Sequence, residues 1–326
     1  MDIELYLMPV HGMGKRLFFM LMLLASQPSW SQQDPQFTQY MFNNFYFNPA
    51  FAGTEGVMKI TAIHRAQWMG YSPTYGDGGA PTTELISMNM PMPMLKGGVG
   101  GYFVYDNLGA ITNMELQASY AYYVPVRNGR LSLGIRAGMI SQEVDFSKFR
   151  AIDPNDPLLG RKGSESQFRP DLAFGALYRK EKFYLGAGIN HLTQPSFDFG
   201  LSQQNKLKPH LYVTGSYFYD MNFDLRFQFV GFVKSDLVKT SFDLGVLAYL
   251  RNTMWGGLSF RQSDAISLLL GYSFLEDKSL SLGYSLDYVV NDQEAKEATS
   301  HEFMLSYTIP VSTSRKKVIR TPRFRY

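Results

Sequence analysis

Cysteine is absent from the 326 residues. That absence excludes disulfide scaffolds, thiol catalysis, iron–sulfur clusters and cysteine-based zinc sites. Charge is sparse too, at 18% of residues, against about a quarter in ordinary soluble chains. No apolar run reaches the 18 residues that would mark a membrane-spanning helix. The formal net charge of +3 is too small to build a nucleic-acid surface, and no such partner is expected. What the chain has in quantity is aromatics, 15% of the total with 25 Phe and 21 Tyr. That composition fits a surface that meets something other than water.

The first 31 residues read as a leader. Lys15 and Arg16 precede the apolar stretch Leu17 to Ala25, and Ser29-Trp30-Ser31 supplies an imperfect small-x-small end, with cleavage expected before Gln32. Asp2 and Glu4 lie where a positive region belongs, which favours Met13 as the start. The nine apolar residues are too few to anchor in a bilayer, which takes about 20 in a helix.

From Val57 onward apolar residues recur at every second position, the period of strands. Leu280, Leu282, Tyr284, Leu286 and Tyr288 form one face, with Ser281, Gly283, Ser285 and Asp287 between them. The same alternation predicts fourteen strands, near 57–69, 81–92, 97–106, 111–125, 130–143, 168–179, 183–192, 207–220, 223–234, 239–251, 253–262, 265–275, 279–290 and 300–310. Tyr102, Tyr105, Tyr120, Tyr122, Tyr123, Tyr178, Tyr217, Tyr219, Tyr249, Tyr284 and Tyr288 lie near strand ends, as in the aromatic girdles of outer-membrane barrels. Connections after even-numbered strands are short, whereas 70–80, 144–167, 193–206 and 291–299 are long and follow odd ones. Together these predict an all-β fold, a transmembrane antiparallel barrel over 57–310, in the outer membrane with both termini periplasmic.

Residues 32–56 do not alternate. Asp34 is placed to cap a helix opened by Pro35, with Phe37, Tyr40 and Met41 on one side, before Asn48-Pro49 and Gly53 break the chain. With no partner outside the wall, this segment is expected to plug the lumen or lie against the periplasmic mouth. At the other end, residues 311–326 carry Arg315, Lys316, Lys317, Arg320, Arg323 and Arg325 with no acid. The leader's charges cancel, so without these six the barrel would carry −3. With Phe324 among the arginines, the tail suits an acidic partner protein, anionic lipid headgroups or envelope polymer.

Gln33-Asp34-Pro35-Gln36-Phe37-Thr38-Gln39-Tyr40-Met41-Phe42-Asn43, then Asn48-Pro49-Ala50-Phe51-Ala52-Gly53, resembles the opening motif of the PorP/SprF family of type IX secretion outer-membrane proteins of the Bacteroidetes. The likeness continues through Ile152-Asp153-Pro154, Arg169-Pro170-Asp171-Leu172, Ser300-His301-Glu302 and Thr321-Pro322-Arg323-Phe324. It implies a role in secretion, surface attachment of secreted proteins or gliding motility. The partners it implies are a periplasmic, peptidoglycan-linked secretion protein or a secreted substrate.

Chemistry is not expected. The five histidines, His11, His64, His191, His210 and His301, are scattered, and adjacent strand residues such as His301 and Glu302 face opposite sides. Asp153-Pro154-Asn155-Asp156-Pro157 lacks the Gly and Glu placements of a calcium loop and reads as turn chemistry. Gly97-Gly98-Val99-Gly100-Gly101 enters a strand, so it reads as room for a bend or close lumenal packing, not a phosphate cradle. No cofactor or metal is implied. The alternative function is a transporter for a hydrophobic small molecule, of the fatty-acid-carrier type; a diffusion porin ranks below it.

Overall fold

The computed structural model describes residues 34–71, 79–149, 163–200, 205–290 and 297–311. The expected leader, the Asp153 to Pro157 turn and the basic residues of the tail lie outside them. The chain divides into two units, Met1–Asp34 and Pro35–Tyr326. Asp34 alone is described in the first.

The second unit is a closed antiparallel barrel of fourteen strands. They are β1 (Val57–Ala66), β2 (Thr82–Met92), β3 (Gly97–Asn107), β4 (Ile111–Val126), β5 (Gly129–Asp145), β6 (Ser164–Arg179), β7 (Phe183–Asn190), β10 (His210–Asp220), β11 (Leu225–Ser235), β12 (Thr240–Leu250), β13 (Met254–Arg261), β14 (Ala265–Phe274), β15 (Leu280–Val289) and β16 (Thr299–Pro310). Two further strands, β8 (Ser196–Phe197) and β9 (Asn205–Lys206), form a separate hairpin inside the expected 193–206 loop. The barrel closes where β1 meets β16, in register from Val57↔Pro310 to Ala66↔His301. Both ends of the strand circuit therefore share one rim. Closure leaves no open edge to hydrocarbon, where unpaired N–H and C=O groups would find no water.

Side chains sort by the strand period. On β15 Leu282 and Tyr288 are exposed while Gly283, Ser285, Asp287 and Val289 are buried, and β16 repeats this with Phe303, Leu305 and Tyr307 outward and Glu302, Met304 and Ser306 inward. Tyr122, Tyr217, Tyr219 and Tyr288 face out as expected of a girdle. Tyr102, Tyr123 and Tyr249 do not: Tyr102 is buried, and the Tyr123 and Tyr249 hydroxyls donate to Ala52 O and Gln228 Oε1 at 2.6 Å each. Their polar tips have partners in the lumen that the membrane boundary would have to replace with water.

β5 runs two residues past its expected end and β6 starts four earlier, so part of the expected 144–167 loop is sheet. Short connections at the terminal rim include Arg127–Asn128 and Lys180–Lys182.

Candidate functional site: the filled lumen

The barrel's interior is occupied by its own N-terminal segment. No helix starts at Pro35; residues 35–39 are irregular, followed by 3-10 turns at Tyr40–Phe42 and Pro49–Phe51 around one α-turn at Asn44–Phe47. The helix expected from Pro35 presumed a segment that satisfies its own backbone. The lumen wall supplies those partners instead. Phe37, Tyr40, Met41, Phe45, Tyr46, Phe47 and Phe51 are all buried and share one core with inward wall residues such as Tyr102, Tyr184, Tyr212, Phe232 and Trp255. Phe37 meets Tyr46 edge-on at 5.3 Å and Phe51 meets Tyr184 edge-on at 5.4 Å between centroids, while Tyr40 stacks on Phe232 at 4.9 Å. Each buried ring contributes roughly 1.5–3 kcal/mol of transfer free energy before entropy is charged against it. Burial, and Asp243 after it, pushes the Tyr40 hydroxyl far up, so it stays neutral.

Three polar latches fix the segment. The first joins the start of the motif to the barrel's closing strands. Glu302, fully buried, accepts from Thr38 N at 2.8 Å and Gln39 N at 2.9 Å, one carboxylate oxygen each. Arg65 donates to Glu302 at 3.2 Å, to Asp287 at 2.8 Å and to Thr38 Oγ1 at 3.0 Å, and Thr38 Oγ1 donates to Asp287. Arg261 pairs with Asp243 at 2.9 Å and Asp264 at 3.3 Å, and reaches Phe37 O at 3.4 Å. The wall carboxylates outnumber the guanidiniums here, and the segment's backbone N–H groups supply the missing donors. A buried charge needs partners of this kind to be tolerated, and Arg65 finds them through both terminal nitrogens while its Nε is left without one.

The second latch is Arg136 on β5, which donates to Phe45 O at 2.6 Å and Tyr46 O at 2.8 Å while lying over the Tyr102 ring at 4.7 Å. The third is Asn48. Its Oδ1 caps the following turn by accepting Ala50 N at 2.8 Å, and its Nδ2 donates to Ala176 O and Ala187 O, each at 3.1 Å.

Glycine in the wall makes the close approach possible. Gly134, Gly175 and Gly188 pair in one row across β5, β6 and β7. A Cβ at Gly134 would overlap Ala50 N and Pro49 C, and one at Gly175 would overlap Asn48 Oδ1. Gly98 likewise lies against Ala52 O, which is the lumenal packing expected of the 97–101 run. Gly53, at φ +64°, donates its N–H to Asn89 Oδ1 at 3.0 Å and turns the chain into β1.

Of the residues singled out in the sequence, Phe37, Gln39, Tyr40, Asn48, Pro49 and Gly53 are buried together inside the barrel, and Pro35 and Gln36 are half-buried at its edge. Asp34 ends the separate first unit. Arg315, Lys316, Lys317, Arg320, Arg323, Phe324 and Arg325 fall outside the described residues. Arg65, Arg136 and Arg261 were not expected as site residues, and Thr38, Asp287 and Glu302 stood out only as parts of a motif or of a strand's polar face. The available signal was a charge on the small, polar face of an otherwise alternating strand. The histidines are not all scattered: His191 and His210 lie with ring centroids 5.8 Å apart, His191 Nδ1 being 3.0 Å from Asp171 Oδ2. His301 faces out and meets the Tyr284 hydroxyl at 2.8 Å, on the opposite side of β16 from Glu302.

An even-stranded closed barrel, apolar outside and filled inside by its own chain, defines an outer-membrane protein with an occluded lumen. The sequence matches the family described as type IX secretion system membrane protein PorP/SprF over residues 29–307, and the chain belongs to that family. Among solved structures it is similar to a Pseudomonas aeruginosa FadL homologue (15% identity, 85% of this chain and 95% of that one, TM-score 0.45). It is also similar to the CymD monoaromatic hydrocarbon channel (12%, 82% and 92%, 0.48) and to Acinetobacter baumannii Omp33 (7%, 77% and 98%, 0.44). A search of curated protein sequences finds no match.

Proposed function

We propose that this protein is a non-enzymatic outer-membrane component of type IX secretion that works through protein contacts at its two rims, with its lumen kept shut. The process it serves is secretion, surface attachment of secreted proteins or gliding motility. The observation that carries the reading is the filled lumen in a chain of this family. Two cavities beside the segment, one against Phe42 and Lys59 and one against Pro35 and Arg261, hold about 10 and 20 Å³. That is room for a water at most. A carrier of hydrophobic molecules needs a path past the segment, and neither of these two cavities is wide enough to be one.

In this reading residues 1–31 are a signal peptide, residues 32–56 form the plug, the shared rim of β1 and β16 faces the periplasm, and the basic residues 311–326 project there. The six arginines and lysines would meet an acidic surface on a periplasmic, peptidoglycan-linked partner, while the long-loop rim meets secreted protein. The test is a crosslinked pull-down from intact outer membrane. It should recover envelope or secreted protein with the barrel. Recovery of bound small lipophiles with no protein partner would favour the carrier instead.

A further inference from the structure

Towards the rim opposite Val57 and Pro310, β4, β5 and β6 continue as a three-stranded flap, and the Ser164 end of β6 is paired with β5 alone among the described residues. β6 pairs with β5 along its full length, from Asp145↔Ser164 to Arg130↔Arg179, but with β7 only from Phe174 to Arg179. The direction of its backbone groups is fixed at both ends. Gly163 O faces β5, accepting Phe146 N, and Leu172 O faces the other way, accepting Leu192 N at 3.0 Å. By the strand period, Ser164, Ser166, Phe168 and Pro170 therefore aim their backbone groups away from β5.

The chain protects the lower part of this edge. Pro170 has no N–H, and its carbonyl accepts the Thr193 hydroxyl at 3.0 Å. The Arg169 guanidinium caps Phe168 O at 2.9 Å. Above that no such protection occurs among the described residues. Ser164, Ser166 and Phe168 are exposed, and no hydrogen bond to their outward N–H groups, or to the carbonyls of the two serines, occurs among the described residues. Between Ser164 and Arg169 there is no lysine and no proline, the usual guards of a free edge.

The flap is also held rigid. Phe197, Phe199 and Leu207, on and beside the β8–β9 hairpin, pack with Ile140, Val144 and Phe146 of the β5 end. Gln167 ties the hairpin side to β6 by accepting Asp198 N at 3.1 Å and donating to Asp198 O. A preformed, braced and unguarded strand edge is what an extended peptide adds to when it joins a sheet.

The geometry points to β-augmentation: the edge Ser164–Phe168 receives an extended segment of a secreted protein. Main-chain bonds from the outward groups of Ser164 and Ser166 and from Phe168 N hold it. An apolar residue of the segment would cover Phe168, which is 61% exposed. This rests on the proposed secretion role and on the long-loop rim facing outward.

Two measurements test it on the full chain. In detergent micelles, hydrogen exchange by NMR should show the Ser166 and Phe168 amides exchanging about 100-fold or more faster than Glu165 and Gln167, whose amides bond β5. In cells, Ser166→Pro removes one outward N–H without touching the β5 ladder, and Ser166→Ala keeps it. With heat-modifiable mobility unchanged in both, surface-attached secreted protein should fall about tenfold for Ser166→Pro and stay at wild-type level for Ser166→Ala. Slow exchange at Ser166 and Phe168, equal loss in both variants, or no loss in Ser166→Pro would each overturn the proposal. Normal attachment in a strain lacking the whole chain would instead sink the secretion role beneath it.

Discussion

Replacing Glu302 by Ala should loosen the plug without opening the barrel wall. Glu302 is the carboxylate on which Thr38 N, Gln39 N and Arg65 converge, at 2.8, 2.9 and 3.2 Å. Its β16 backbone pairing does not involve the side chain. The variant orphans two buried N–H groups, at roughly 1–3 kcal/mol each. It also removes one partner of a buried ion pair, a loss of about 3–5 kcal/mol in comparable cases. The two figures describe one event seen from two sides, so about 3–5 kcal/mol is the expected cost to docking. Arg65 keeps Asp287, so its charge is not fully stranded. Because the chain has no cysteine, a single Asn43→Cys, buried in the docked plug, reports plug release by its rate of maleimide labelling. At 1.4 kcal/mol per decade, labelling should rise between about 100-fold and about 4,000-fold on adding Glu302→Ala. A rise of less than about threefold would refute the assignment of Glu302 as the latch.

Three further outcomes follow from the packing. Gly134→Ala should destabilise the barrel by about 1–3 kcal/mol in a urea titration, because the added methyl meets plug backbone, whereas Gly215→Ala, whose nearest neighbours stand at 3.7 and 3.9 Å, should be neutral. Equal effects of the two would contradict the close approach. Leu282→Arg, on the outward face, should lower folding into lipid vesicles by about 2–4 kcal/mol, and no change would place that face away from lipid. Deleting residues 311–326 should leave a heat-modifiable barrel in the outer membrane and abolish the partner interaction; unimpaired secretion would remove the tail from the mechanism.

The wall was legible in the sequence because each strand has two different surroundings, and a period of two records both. The Leu280 to Tyr288 face and its Ser, Gly and Asp counterpart show this without any long-range knowledge. The lumen was not legible in the same way. Arg65 and Glu302 meet across 237 positions of sequence, and nothing local to either marks a partner. The plug's turns are set by wall atoms, Asn48 by two strand carbonyls and Phe45 by Arg136, so local helix signals at Pro35 misled. Two-residue strands such as β8 and β9 carry no period to read. Tyr102 and Tyr249 look like girdle residues by position, and only the burial of Tyr102 and the bond from Tyr249 to Gln228 show that they belong to the interior.

The central claim is that the protein acts with its lumen shut. Tethering the plug tests it. A Cβ at Gly188 would stand 3.1 Å from Asn48 Cβ, near enough for a disulfide between Asn48→Cys and Gly188→Cys after a small adjustment. Secretion should proceed at the same level with the bond formed as with it reduced. Secretion that stops on oxidation and returns on reduction would show that the plug must leave and that the barrel is a conduit.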